Sequence, residues 1–323
     1  MGVAWGVLST ARIGARLVEG AAKTDAADIV AVASRDGATA QAFADAYDIP
    51  RAHASYEALL ADPDVEAVYI PLPNSMHVDW TIRALQAGKH VLCEKPLDRR
   101  PEAVARAFDV AEEHGLVLGE AFMWRHNPQT QRVRELLDEG AIGELRLVRA
   151  CFSFVLLGDV DVRLDPALDG GGLMDVGCYC VSGARLVAGE PVSVSAQAVM
   201  GPTGVDVRLS GLLRFEGDVL GVIDCGLDVH HRSELEIVGA EGRLVLADPW
   251  HANAPQIVVE RGFEREVVAV EPADSYTREL EDAGAAIAGD RAPLLGRADA
   301  LGQARTIEAL YRSAEEGRSV ALS

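Results

Sequence analysis

Val3-Ala-Trp5-Gly6-Val-Leu8-Ser9-Thr10-Ala11-Arg12-Ile13-Gly14 opens the chain with an apolar run, a turn of small residues and the start of a helical pattern. An apolar run without polar alternation reads as a strand buried on both faces. Laid on the dinucleotide fingerprint, the three glycine positions fall on Ser9, Ala11 and Gly14, and only the last is glycine. The chemistry asks for small residues there, so that backbone N–H groups at a helix N-terminus can approach a pyrophosphate. Ser9 and Ala11 are small enough for a slightly looser approach, and Ser9 and Thr10 add hydroxyl donors. With Arg12 and Ile13 they are the first candidate cofactor contacts. An ordinary strand–turn–helix has the same pattern; its place in the first βα unit favours the cofactor.

The same rhythm continues for about 120 residues. Residues 3–8, 29–34, 67–71, 90–93 and 117–119 read as buried strands, and 13–23, 38–47, 55–61, 76–87 and 101–114 carry helical spacing. Such alternation predicts an α/β Rossmann domain, a parallel doubly wound sheet with helices on both faces. Beyond residue 122 the rhythm changes. Helical patterns at 128–139 and 173–187 are joined by strand-like stretches at 145–154, 192–199, 207–215, 219–225, 234–238, 243–246, 257–260 and 264–270. Helices at 276–288 and 301–316 close the chain. The expectation is two domains, 1–122 for dinucleotide binding and 123–323 as an α+β domain for substrate and oligomerisation.

Composition narrows the function classes. At 323 residues the chain has room for two domains, and 49% apolar with 25% charged residues is ordinary globular usage. Fifty acidic against thirty basic side chains give a net charge of −20, which repels nucleic acid and anionic lipid. No run approaches the ~18 apolar residues of a membrane span, and no basic region precedes the first apolar run as in a signal peptide. Five cysteines, an odd number at irregular spacing, fit reduced thiols. The expectation is a cytoplasmic protein that handles small molecules.

Four further motifs carry chemistry. Ser34-Arg35-Asp36 ends the second strand where an acid would bind the ribose hydroxyl of NAD and an Arg the extra phosphate of NADP. Ser34 and Arg35 favour NADP, and Asp36 is the competing NAD reading. Tyr69-Ile-Pro71-Leu72-Pro73-Asn74-Ser75-Met76-His77 is a rigid turn at the carboxyl edge of the sheet, where such folds bind ligands; it reads equally well as a loop with a helix cap. Cys93-Glu94-Lys95-Pro96 sets a Lys beside an acid at the next strand end, and Lys95-Pro96 could be cis. Asp169-Gly170-Gly171-Gly172-Leu173-Met174-Asp175-Val176-Gly177-Cys178-Tyr179 has three glycines that would let another molecule approach the backbone. Asp175 and Tyr179, i and i+4 on a helix, make a plausible proton-handling pair, or a cap and a core Tyr. Close donor pairs (Cys178 and Cys180, Asp159 and Asp161, His230 and His231) lack the spacing of a metal site, and no metal is expected. There is no nucleophile-elbow motif of a Ser hydrolase.

Taken in order, 5–14 (WGVLSTARIG), 32–35, 70–77 (IPLPNSMH), 88–96 (GKHVLCEKP), 120–129 (EAFMWRHNPQ) and 170–179 (GGGLMDVGCY) give the chain a resemblance to the glucose–fructose oxidoreductase / inositol dehydrogenase / rhizopine-catabolism (Gfo/Idh/MocA) family. Within it the chain is most similar to the dihydrodiol dehydrogenase and NADP-dependent D-xylose dehydrogenase branch. The resemblance implies a Rossmann domain and a C-terminal domain with a large, mostly antiparallel open sheet, often a subunit interface, hence a homodimer or tetramer. It maps the family's active-site lysine onto Lys95 and its aspartate onto Asp175. Many members carry a His four positions later; here that residue is Tyr179. Trp124 and Arg125 match residues bordering nicotinamide and substrate, and the 161–166 stretch with Arg163 matches a substrate-facing loop. His126-Asn127-Pro128 departs from the usual Phe-His-Pro, and two fingerprint glycines are absent.

The implied activity is hydride transfer between NADP (or NAD) and a hydroxyl-bearing carbon of a sugar, polyol or cyclic diol, an aldose such as xylose or glucose being favoured. Tyr179 would take or return the hydroxyl proton. Lys95 would stabilise its phenolate and Asp175 would orient a substrate hydroxyl. Trp124, Phe154, Trp250 and His251 are candidate pocket walls. Leu72, Pro73, Asn74, His77, Glu94, Lys95, Trp124 and Arg125 complete the candidate cofactor contacts. The alternative is a dinucleotide-binding regulator or sensor without turnover. Either way, an acidic chain needs local donors to hold an anionic dinucleotide: the N–H groups of 9–14 with Arg12, Arg35, Lys95 and Arg125.

Overall fold

The computed structural model describes residues 2–158 and 160–322, so Asp159 lies outside the described residues. The chain divides into two compact units, Met1–His126 with Asp274–Leu301, and Asn127–Ala273 with Gly302–Ser323.

The first unit begins with β1 (Val3–Leu8), α1 (Arg12–Ala21), β2 (Ala27–Ala33), α2 (Gly37–Ala46), β3 (Arg51–His53) and α3 (Tyr56–Leu60). It continues through β4 (Ala67–Ile70), α4 (His77–Gln86), β5 (His90–Glu94), α5 (Pro101–His114) and β6 (Leu118–Ala121). Six parallel strands in the order β3-β2-β1-β4-β5-β6 form one sheet. The order reverses between β1 and β4, and at that switch point a doubly wound sheet opens a crevice beyond its carboxyl ends. Trp5, Val7 and Leu8 are wholly buried, as expected for a strand covered on both faces. Three residues are too few to show a periodic pattern, so β3 was not anticipated. Pro101 opens α5 and Gly115, at φ 65°, closes it in the left-handed conformation glycine adopts freely.

The second unit holds α6 (Pro128–Asp138), β7 (Leu145–Val155), α7 (Cys178–Ala188), β8 (Ser193–Met200), β9 (Asp206–Arg214) and β10 (Leu220–Gly226). After these come β11 (Asp228–Gly239), β12 (Arg243–Leu246), β13 (Gln256–Arg261) and β14 (Glu264–Ala269). Then α8 (Ser275–Ile287) belongs to the first unit, α9 (Arg297–Glu316) crosses the division, and β15 (Val320–Ala321) ends the second. Nine strands form its sheet in the order β14-β13-β12-β11-β7-β10-β9-β8-β15. Among the described residues only the β7–β10 pair is parallel, so the sheet is mostly antiparallel. Along β9, Leu209, Gly211 and Leu213 are buried while Arg208, Ser210, Leu212 and Arg214 are exposed, so one face is covered and the other open.

Segment 274–301 differs from the expected assignment to the second domain. Helical periodicity reveals a helix, not its packing partner. Here α8 lies on α1: a Cβ on Gly20 would stand 2.9 Å from the Tyr276 Cβ, Thr277 donates to the Gly20 carbonyl at 2.9 Å, and Lys23 pairs with Asp274 at 2.5 Å. No helix among the described residues is long and apolar enough to cross a membrane.

Candidate active site

In the first unit the turn after β1 keeps the backbone of a glycine fingerprint without its glycine. Ser9 has φ 151°, a region side chains rarely enter. Its hydroxyl donates to the Pro71 carbonyl at 3.0 Å and accepts from the Ala11 N–H at 3.2 Å. The side chain expected to donate to a phosphate thus ties the end of β1 to the end of β4. The N-cap of α1 is Ala11, which makes no side-chain cap, and its first turn holds no acid. By contrast Ser55 caps α3, and Asp36 caps α2 by accepting from the Thr39 N–H at 2.7 Å and hydroxyl at 2.6 Å. Those two bonds hold the Asp36 carboxyl below the usual range. The capping role accounts for Asp36. Arg35 stays exposed beside the hydroxyl of Tyr56, and Arg12 is exposed at the first position of α1.

Around the fourth and fifth strand ends the structure joins residues that the sequence showed separately. Lys95-Pro96 is cis. His77 is wholly buried, and its ring nitrogens face the carbonyls of Pro96 at 2.8 Å and Leu72 at 2.7 Å. Burial lowers its pKa against the pull of those carbonyls. This candidate cofactor contact is therefore a staple between the 71–74 turn and the lysine turn. Tyr69 donates to Glu94 at 2.5 Å, and the other Glu94 oxygen accepts the Lys95 N–H at 3.2 Å. Trp124 is buried, with the Arg125 guanidinium 5.8 Å from its ring centre and Arg125 paired to Asp299 at 3.3 Å. His126 is buried as well, 4.0 Å from both Glu279 and Asp282, and desolvation draws its pKa down to about 4. Asn127 caps α6. The His126-Asn127 departure from the family pattern is thus spent on internal packing. Asp299, Glu279 and Asp282 come from the late segment, and no motif pointed to them.

In the second unit five candidate substrate residues fall in two groups, Phe154, Arg163 and Asp175 in one and Tyr179 and Trp250 in the other. Arg163 Nε donates to Asp175 at 2.8 Å, and its NH1 reaches Asp161 at 3.2 Å. The same guanidinium lies 5.9 Å from the Phe154 ring. Tyr179 stands edge-on to Phe152, ring centres 5.4 Å apart, with Trp250 tilted at 5.9 Å. Trp250 itself is wholly buried and donates to the Cys151 carbonyl at 3.1 Å, so it backs Tyr179 as a core residue instead of forming an open wall. His251 is exposed at the edge of Phe152. The helix carrying Asp175 and Tyr179 starts with a π-helical stretch, Leu173–Gly177, that runs into α7; such stretches are frequent at functional sites. Among the described residues no group of three His, Cys, Asp or Glu side chains is placed to hold a metal ion.

Residues 3–122 match the model of the oxidoreductase family with an NAD-binding Rossmann fold, and 130–245 match the GFO/IDH/MocA C-terminal domain. D-xylose 1-dehydrogenase (NADP(+)) 2 of Haloferax volcanii is 41% identical across 98% of this chain and 99% of its own. Trans-1,2-dihydrobenzene-1,2-diol dehydrogenase of Xenopus laevis is 34% identical across 82% of this chain and 80% of its own. The crystal structure of KijD10, a 3-ketoreductase of Actinomadura kijaniata in complex with NADP and TDP-benzene, superposes with a TM-score of 0.92 at 31% identity, covering 97% of this chain and 98% of that one. Two matched domains in sequence, a parallel sheet with its switch point at β1 and a mostly antiparallel second sheet place the chain in one group: it belongs to the GFO/IDH/MocA family of oxidoreductases.

Proposed function

We propose that this chain is an NADP-dependent dehydrogenase acting on a hydroxyl-bearing carbon of a sugar, polyol or cyclic diol, with an aldose such as D-xylose or D-glucose favoured. The observation that carries the reading is one helix presenting Asp175, anchored by Arg163 at 2.8 Å, and Tyr179, seated against Phe152 and Trp250. Its identity to an NADP-dependent D-xylose dehydrogenase, across nearly the whole of both chains, supports the substrate class.

The donors present suit a dinucleotide: the uncapped N-terminus of α1, the glycine-like turn at Ser9, exposed Arg12 in the first turn of α1, and exposed Arg35 just past the end of β2, which pairs with β1. Arg35 would meet the 2′-phosphate of NADP, because the Asp36 carboxylate is already engaged by Thr39. Bound NADP would supply the hydride acceptor. Tyr179 Oη takes the proton of the substrate hydroxyl in oxidation and returns it in reduction. Lys95, held on a turn stapled by His77, stabilises the phenolate. Asp175 accepts a substrate hydroxyl and fixes its direction, with Arg163 setting the carboxylate's own orientation. The open face of the second sheet, with Leu212 and Leu220 exposed, is the surface through which a homodimer or tetramer would form.

NADPH formation at 340 nm against D-xylose, D-glucose, a polyol and a cyclic diol tests the reading. Turnover of at least one of them is expected. Tight NADP binding with no turnover of any would favour a regulator instead.

A further inference from the structure

The three glycines before the catalytic helix were expected to admit another molecule. In the structure it is the chain's own side chains that come close. A Cβ on Gly171, at φ 128°, would run into the Asp206 carboxylate and lie 3.1 Å from the Tyr311 hydroxyl, and one on Gly170 would strike the Arg163 carbonyl. Asp206, the first residue of β9, is 1% exposed. Its Oδ2 accepts the Leu173 N–H at 2.7 Å. Tyr311, from α9, donates to Oδ1 at 2.8 Å. Every one of these donors belongs to the second unit.

A buried carboxylate at the first N–H groups of a helix is electrostatically favoured, and it fixes where that helix begins. Leu173 lies two residues before Asp175 and six before Tyr179. On the opposite side the Arg163 carbonyl accepts the Gly171 N–H at 2.9 Å while its side chain grips Asp175. The glycine turn is thus held from two directions, by Arg163 and by Asp206. We infer that Asp206, seated by Tyr311, is a positioning residue whose carboxylate fixes the helix start that presents Asp175 and Tyr179. This inference rests on the reading of those two residues as the reacting pair.

The test compares wild type with Asp206→Asn and Tyr311→Phe in the full chain, using two readouts. The first is amide hydrogen exchange over 172–179, which needs no substrate. The second is kcat with whichever sugar of the panel the wild type oxidises, alongside the NADP Kd. Asp206→Asn is expected to speed exchange over that segment about tenfold and to lower kcat about tenfold, with the NADP Kd unchanged. Tyr311→Phe is expected to produce both effects in weaker form, and it keeps the test decisive should Asp206→Asn fold poorly. Unchanged exchange over 172–179 overturns the inference, and so does faster exchange with full kcat. A wild type inactive on every sugar defeats the functional reading, while the exchange result still decides whether Asp206 holds the helix.

Discussion

Arg163 and Asp175 form an ion pair at 2.8 Å, and the same guanidinium also reaches Asp161. The carboxylate assigned to substrate orientation therefore has its geometry set by a neighbour twelve residues earlier. Arg163→Met removes that constraint while keeping much of the stem volume. It is expected to lower kcat/KM by about tenfold or more, because loss of orientation acts on the transition state. Steady-state rates with the sugar of highest activity check this, and the NADP Kd is expected to stay within about twofold.

His77 bridges two buried carbonyls at 2.7 and 2.8 Å. A neutral imidazole donates one N–H, so His77→Phe leaves one of these carbonyls without its donor and loosens the contact to the other, at a cost of about 1–3 kcal/mol. The urea midpoint is expected to fall accordingly. Since the staple also fixes the Lys95 turn, kcat is expected to drop together with stability.

Arg35→Ala separates the two cofactors. The NADP Kd is expected to rise about 10- to 100-fold, roughly 1.4–2.8 kcal/mol, with the NAD Kd nearly unchanged. Fluorescence titration with each cofactor measures the ratio. Equal weakening of both would move Arg35 away from the phosphate.

Burial pushes the Asp206 pKa from its ordinary 3.8 up to about 6, opposed by the Leu173 N–H and by the Tyr311 hydroxyl. The titratable side chains facing it are Tyr311 from α9 and Cys225 from β10. A carboxyl whose folded pKa exceeds its unfolded value binds its proton more tightly when folded. Its contribution to stability is therefore fully present below about pH 4 and is lost as pH rises to about 6, by about 3 kcal/mol. Asp206→Asn removes this dependence. The Tm of wild type minus that of Asp206→Asn is thus expected to fall between pH 4.5 and pH 7.5, and a constant difference would contradict it.

The parallel domain was legible because β1, β2, β4 and β5 are continuous apolar runs separated by helical spacing, with turn residues where the chain reverses. The second sheet was legible as strands, but its order was not: β10 pairs with β7 across 64 intervening residues, and no local pattern encodes that. The candidate site residues divide the same way. Asp175, Tyr179 and Lys95 stood out through motif context. Ser9, His77 and Trp250 were identified as residues but assigned outward roles, because a sequence shows a donor without showing which carbonyl it meets. Asp206 and Tyr311 carried no signal, lying 31 and 136 residues after Asp175 with nothing in common until folded.

The central claim is that Tyr179 handles the proton. Tyr179→Phe keeps the ring against Phe152 and Trp250 and removes only the hydroxyl. With the best sugar of the panel and saturating NADP, kcat is expected to fall by about 100-fold or more while the NADP Kd stays within about twofold of wild type. A variant that turns over at the wild-type rate would contradict the account.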